Sequence, residues 1–343
     1  MAKTILSYMA VIVLSLALLV GAEWLATATH LADRIALLED NSTIRRGHRW
    51  GSSASHMVKS PEGFYLYQPW SADGVTINEL GLRTAPPTPK ATEERRIAIV
   101  GGSVVWGYLL ADADTIPALL QAKIRAAGRT DISVYNFGIE GATIQAELAL
   151  LKHFRVVYQI DHAIFFTGGN DIFLDYFDVD GLPGQQIRQK NFLTNLELYK
   201  LADKIGYSWL PPAKERIQKL DDLISHLGER SHLIRGISAA REYCRETGLS
   251  CDFVLQPLLL TRKPLLGSEP KLASSSLNIF PKLDSLTFAT YRTASGLGPS
   301  VHDFSASLDG GRDQYFLDTM HLNEAGTAAV AQTLLPLALS RPH

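Results

Sequence analysis

From Ile97 onward the chain alternates short, continuously apolar runs with longer amphipathic segments, and few folds accept that rhythm. Ile97-Ala98-Ile99-Val100 reads as a buried strand, followed by a helix over roughly Thr115 to Ala127. Ile132-Ser133-Val134-Tyr135 gives a second strand and a helix from about Ile144 to Val157. Ala163-Ile164-Phe165-Phe166 is a third strand, Phe253-Val254-Leu255 a fourth, and a short run near Val301 to Phe304 a fifth. An alanine- and leucine-rich helix from Glu324 to Leu339 closes the chain. Successive strand side chains point to opposite faces, so a run apolar at every position must be covered on both. The pattern therefore predicts a parallel sheet with helices on each side. In such sheets function gathers at the carboxyl ends of the strands.

The remaining segments divide the chain. Ile5 to Ala22 carries no charge, and apolar character resumes past Glu23 to Ala28. About 20 apolar residues suffice for a helix to cross a bilayer. Residues 1–28 are thus expected to be a transmembrane signal anchor, which puts the rest of the chain outside the cytoplasm. A cleaved signal peptide is the alternative, since Val20-Gly21-Ala22 and Ala26-Thr27-Ala28 present small residues of the kind cut after such segments. Residues 29–92 read as a juxtamembrane stalk and a strand-like, turn-rich extension, ended by Pro86-Pro87-Thr88-Pro89, which holds neither helix nor central strand. Residues 93–343 form the α/β domain, with an insertion at about 175–240 whose latter part, Leu220 to Glu246, looks helical. Cys244 and Cys251 could close a short loop in an oxidising compartment or remain two buried thiols. They lack the spacing and the neighbouring histidine of a metal or redox site, and no metal or cofactor is expected. A net charge of -2 without a basic stripe argues against a nucleic-acid partner.

Four blocks carry chemistry. Gly101-Gly102-Ser103 follows the first strand and sets a hydroxyl on a strand-to-helix turn. It is not a phosphate-binding loop, because Tyr108 stands where a lysine is needed, and Val105 breaks the Gly-x-Ser-x-Gly elbow. Asn136 to Thr143, after the second strand, contains Gly141, whose N–H can face a ligand. Gly168-Gly169-Asn170-Asp171 follows the third strand, and Asn170 is an amide donor of the type that stabilises an oxyanion. Asp318-Thr319-Met320-His321 precedes the last helix, and its spacing brings a carboxylate to one side of an imidazole. His302-Asp303 is a competing pair, weakened because neighbours in a strand point to opposite faces.

In combination these blocks resemble the SGNH, or GDSL-like, hydrolases, matching at Ser103, Gly141, Asn170 and His321 with Asp318 as the acid. The resemblance runs from about Arg96 to the C-terminus. It implies a three-layer α/β/α sandwich with a five-stranded parallel sheet, flavodoxin-like in character, here preceded by the N-terminal transmembrane helix. It implies a serine hydrolase with Ser103, Asp318 and His321 as catalytic triad and the Ser103 and Gly141 N–H groups and the Asn170 amide as oxyanion hole. The first block of that family usually reads Gly-Asp-Ser, and Gly102 replaces the aspartate. The expected substrate is an acyl ester, first an acetylated cell-surface polysaccharide. O-acetyl transfer through the same site is the second reading, and a catalytically quiet carbohydrate-binding module the third. Trp106 and Tyr108 either line the site or pack in the core, with at least one expected in the core.

Overall fold

The computed structural model describes residues 56–62, 64–72, 74–178 and 214–340. The five apolar runs become β5 (Arg95–Gly101), β6 (Ile132–Gly138), β7 (His162–Thr167), β8 (Ser250–Leu255) and β9 (Val301–Asp303). They lie in the order β6-β5-β7-β8-β9, every pair parallel. The connecting helices are α1 (Ser103–Trp106), α2 (Ile116–Ala126), α3 (Ile144–Tyr158), α4 (Gly169–Asp178), α5 (Lys214–Ser225), α6 (Leu227–Arg230), α7 (His232–Thr247), α8 (Glu269–Ile279), α9 (Leu283–Ser295) and α10 (Glu324–Leu339). Chain order reverses on either side of β5, so the crevice between the ends of β5 and β7 is the switch point where such sheets bind ligands.

The two-faced strands explain the layers. Ile97, Ile99, Ile164, Phe166 and Val254 share one apolar cluster with Ile116, Leu120 and Ile124 of α2 and Val330 and Leu334 of α10. Their neighbours Ala98, Val100, Ala163, Phe165 and Phe253 join the opposite cluster, with Leu151 and Phe154 of α3, Ile237 of α7 and Leu286 of α9. Burying one such side chain is worth about 1.5–3 kcal/mol. The expected sandwich and parallel sheet are therefore present.

Short strands β1 (Met57–Lys59) with β2 (Tyr65–Tyr67), and β3 (Trp70–Ala72) with β4 (Val75–Ile77), form two antiparallel pairs outside the main sheet. Phe64, Tyr67, Val75, Ile77 and Leu82 nevertheless belong to the same core cluster as α3. The proline-rich stretch behind them is neither helix nor strand and is tied down, with the Thr88 carbonyl accepting from Arg96 Nη2 at 2.8 Å.

Several expectations need correction. Among the described residues no helix is long and apolar enough to cross a membrane, which overturns the single-pass membrane placement. The 1–28 segment on which the anchor was placed lies outside the described residues, as does Gly181-Leu182-Pro183-Gly184. Helix α4 runs through Asp175, so the segment expected as insertion begins inside a helix. Helices α8 and α9, between β8 and β9, were not foreseen. Both are rich in serine and threonine, weak helix formers whose hydroxyls compete for the backbone. Here those hydroxyls bond back within the helix, Ser276 Oγ to the Leu272 carbonyl at 2.9 Å and Thr287 Oγ1 to that of Leu283 at 2.7 Å. Cys244, in the last turn of α7, and Cys251, in β8, form a disulfide.

Beneath the crevice, Glu147 of α3 and Asp171 of α4 are both buried. Thr167 Oγ1 meets Glu147 Oε1 at 3.2 Å and Asp171 Oδ2 at 3.4 Å, and the Ile144 N–H also donates to Asp171. Burial raises the pKa of both, and the proximity of Asp171 raises that of Glu147 further. The folded pair thus holds a proton that the unfolded chain releases above about pH 4, so its contribution to stability falls as pH rises from there. Glu147→Gln is expected to narrow the difference in Tm between pH 5.5 and pH 8, chiefly by raising the value at pH 8. An unchanged difference would show that the pair does not set the pH dependence.

Candidate active site

β5 ends at Gly101, and Ser103 is the first residue of α1. The N–H of a first helical residue has no intrahelical acceptor and stays available. The turn is tightly seated, since a Cβ on Gly138 of β6 would lie 2.2 Å from the Trp106 nitrogen. Close approach of two backbones is what that glycine permits. The Ser103 side chain is largely buried, with the residue 7% exposed.

The Asp318–His321 loop is folded by its own carboxylate. Asp318 Oδ1 accepts the N–H groups of Met320 at 2.9 Å and His321 at 2.8 Å. The Leu317 N–H reaches the His321 carbonyl at 2.8 Å, and Thr319 anchors the loop through its carbonyl, which accepts from the Leu259 N–H at 3.0 Å. Asn323 then caps α10 with its side chain, accepting from the Gly326 N–H. The second carboxylate oxygen, Asp318 Oδ2, lies 2.6 Å from His321 Nδ1, and His321 Nε2 lies 2.8 Å from Ser103 Oγ. An ionised carboxylate only accepts, so Nδ1 carries the proton and the Nε2 lone pair faces the serine hydroxyl. Burial alone would raise the Asp318 carboxyl. The neighbouring His321 and the two loop amides outweigh it and hold the group below its ordinary value.

The competing pair is not one. His302 Nε2 contacts Asp252 Oδ1 at 2.7 Å, and Asp303 Oδ1 accepts the Ser305 N–H instead. Asp252 also lies beside His162, and although burial alone would raise its pKa, the two imidazoles bring it well below the carboxylate range.

Gly141 sits in the turn after β6 at φ +66°, a left-handed conformation that suits glycine. Asn170, in the first turn of α4, donates from Nδ2 to the Ala142 carbonyl at 2.8 Å, which leaves its second amide hydrogen free of that bond. The same nitrogen lies against Gly102, where a Cβ would stand 2.3 Å away. Asn170 thus touches the residue after Gly141 and the residue before Ser103, and all four sequence blocks meet at one end of the sheet. The glycine at position 102 leaves the room that the Asn170 amide occupies.

Trp106 and Tyr108 divide as expected. Trp106 is in the core, whereas the half-buried Tyr108 lies over His321 with ring centroids 4.5 Å apart. Burial, then the charges of Glu140 and Asp318, raise the Tyr108 phenol. Sequence reading missed Tyr67, Arg83 and Glu140, which surround this corner. Nothing marks Arg83 in the sequence beyond an arginine next to a turn, and three of its partners are main-chain carbonyls that no motif records. Among the described residues no group of three or more His, Cys, Asp or Glu side chains could hold a metal ion.

No family model and no curated protein sequence matches the chain. The chain is similar in structure to GDSL-class lipolytic proteins and esterases. A lipase from a goat rumen metagenome is 14% identical, with a TM-score of 0.44 over 73% of this chain and 100% of the other. An acetyl xylan esterase, AlAXEase, is 13% identical at a TM-score of 0.41, covering 71% and 98%. A G-D-S-L family protein from Desulfitobacterium hafniense, described as a lipolytic protein, is 13% identical at 0.40, covering 71% and 99%. At such identities and scores the reading of the site rests on its own geometry.

Proposed function

We propose that the chain is a serine-dependent acyl-ester hydrolase. The observation that carries this reading is the relay from Ser103 Oγ to His321 Nε2 at 2.8 Å and from His321 Nδ1 to Asp318 at 2.6 Å. A hydroxyl is a weak nucleophile until an adjacent base takes its proton. His321 removes that proton as Oγ attacks the ester carbonyl, and Asp318 stabilises the imidazolium that forms. The charge that develops on the carbonyl oxygen is met by the N–H groups of Ser103 and Gly141 and by the free amide hydrogen of Asn170. His321 then gives its proton to the departing alcohol. Water, deprotonated by the same imidazole, attacks the acyl-serine and releases the acid with Ser103 restored.

The finer reading is removal of an acetyl group from a carbohydrate, with a sugar hydroxyl replacing water if the protein is a transferase. The full chain treated with a serine-reactive fluorophosphonate is expected to gain one adduct, on the peptide that contains Ser103, and to hydrolyse 4-nitrophenyl acetate until labelled. A folded chain that neither labels nor turns over would favour the binding-module reading. Product analysis with an acetylated oligosaccharide, with and without a second sugar as acceptor, separates hydrolysis from transfer.

A further inference from the structure

We infer that the segment ahead of the α/β domain is part of the active site, with Tyr67 and Arg83 acting as positioning residues for the two loops that present Ser103 and Gly141. The inference rests on the hydrolase reading above. Its observations are independent of the triad.

Arg83 has a side chain only 1% exposed, and each of its three guanidinium nitrogens donates a hydrogen bond. Nη1 donates to the carbonyls of Trp106 at 3.0 Å and Gly107 at 2.8 Å, and Nη2 to that of Leu110 at 2.6 Å. Nε binds Asp112 at 2.7 Å, and the guanidinium lies 4.7 Å from the centre of the Trp106 ring. Those carbonyls belong to the end of α1 and the turn behind it, the piece of chain that starts at Ser103 and carries Tyr108 onto His321. The turn needs holding. Gly107 at φ +89° and Leu109 at φ +64° flank Tyr108, and a left-handed leucine costs energy that surrounding contacts must offset. A planar guanidinium with five fixed donors suits three carbonyls converging from one turn, and an ammonium does not.

Tyr67, at the end of β2, braces the other loop. Its hydroxyl accepts the Glu140 N–H at 3.3 Å and donates to Glu140 Oε2 at 3.1 Å, one residue before Gly141. Its ring stacks on Trp106 at 5.4 Å. Trp106 is therefore contacted by both Tyr67 and Arg83, and one short extension holds the nucleophile turn and the second oxyanion loop together. Oxyanion donors work at about 2.7–3.1 Å from the developing charge, and a misplacement of about 1 Å can cost about a hundredfold in rate.

The test uses the full chain with an activated acetyl ester, and rates are expressed per phosphonate-titrated site so that misfolded protein does not count. Tyr67→Phe, which removes only the hydroxyl, and Arg83→Lys, which keeps the charge, are each expected to lower kcat by about tenfold to a hundredfold with KM nearly unchanged. In Arg83→Ala, added ethylguanidinium is expected to restore part of kcat and to leave wild type unaffected. If Arg83 variants do not fold, Tyr67→Phe alone decides. Wild-type kcat per titrated site in Tyr67→Phe, or no rescue of a folded Arg83→Ala, overturns the inference while the hydrolase reading stands. An inactive, unlabelled wild type removes the reading beneath it instead.

Discussion

Replacing His321 by alanine is expected to lower kcat for an activated acetyl ester by about 10⁶-fold, with Ser103→Ala costing about as much and the double variant no more. The size follows from the geometry. At pH 7 a serine hydroxyl holds its proton, and in the proposed reaction His321 Nε2, 2.8 Å from Oγ, is the base that takes it. Without the base the nucleophile is lost, and without the nucleophile the base has nothing to activate, so the losses do not add. Asp318→Asn should be milder, about 10⁴-fold, because the serine and imidazole remain but the tautomer is wrong. An asparagine can turn its NH₂ toward Nδ1, which then accepts and leaves Nε2 protonated against Oγ. The loop should survive that change, since an amide oxygen can still accept the N–H groups of Met320 and His321 now bound by Oδ1. Measured kcat within tenfold of wild type in His321→Ala would remove the relay from the mechanism, whatever Ser103 does.

The relay was legible because each of its parts has a local sequence signature. Asp318 and His321 lie three residues apart in one self-bonded loop, and Ser103 and Asn170 directly follow runs whose apolar continuity marks β5 and β7 as buried strands. Strand ends in a parallel sheet converge, so the order of blocks along the chain carried their meeting in space. Strand alternation weakens His302-Asp303 as a mutual pair, and in the structure His302 reaches Asp252 on the adjacent strand instead. The positioning segment was not legible for the opposite reason. Arg83 bonds to main-chain carbonyls and Tyr67 to a main-chain N–H, and every residue type has those groups. Helices α8 and α9 were hidden by hydroxyl-bearing residues that read as loop until their intrahelical bonds are seen. The buried carboxyl pair beneath the crevice was also out of reach, since Glu147 and Asp171 come from different helices and meet at Thr167.

Gly102→Ala is expected to lower kcat by about 10²–10³-fold, the effect of losing one oxyanion donor, while leaving thermal stability within a few degrees of wild type. Glycine is not needed there for its backbone freedom. Gly102 has φ -82°, a value open to alanine, and the substitution would also restrict the unfolded chain, a gain of about 0.4–1 kcal/mol. What the glycine provides is space. A Cβ at position 102 would stand 2.3 Å from Asn170 Nδ2 and 3.3 Å from the Ala142 carbonyl oxygen. The amide is the far end of a side chain with two rotatable bonds, so it can swing away, giving up its 2.8 Å bond to Ala142 for about 1 kcal/mol. Stability therefore changes little, but the donor no longer points at the oxyanion. Asn170→Ala should give a similar loss by deleting the donor outright. Gly102→Ala combined with Asn170→Ala should then be no worse than either alone, since both remove the same interaction. The aspartate usual at this place in GDSL-type sequences should do the same as alanine here, because its Cβ makes the same collision. Wild-type kcat in Gly102→Ala alongside a large loss in Asn170→Ala would show that the amide finds its place without the glycine. The glycine at position 102 would then need another cause.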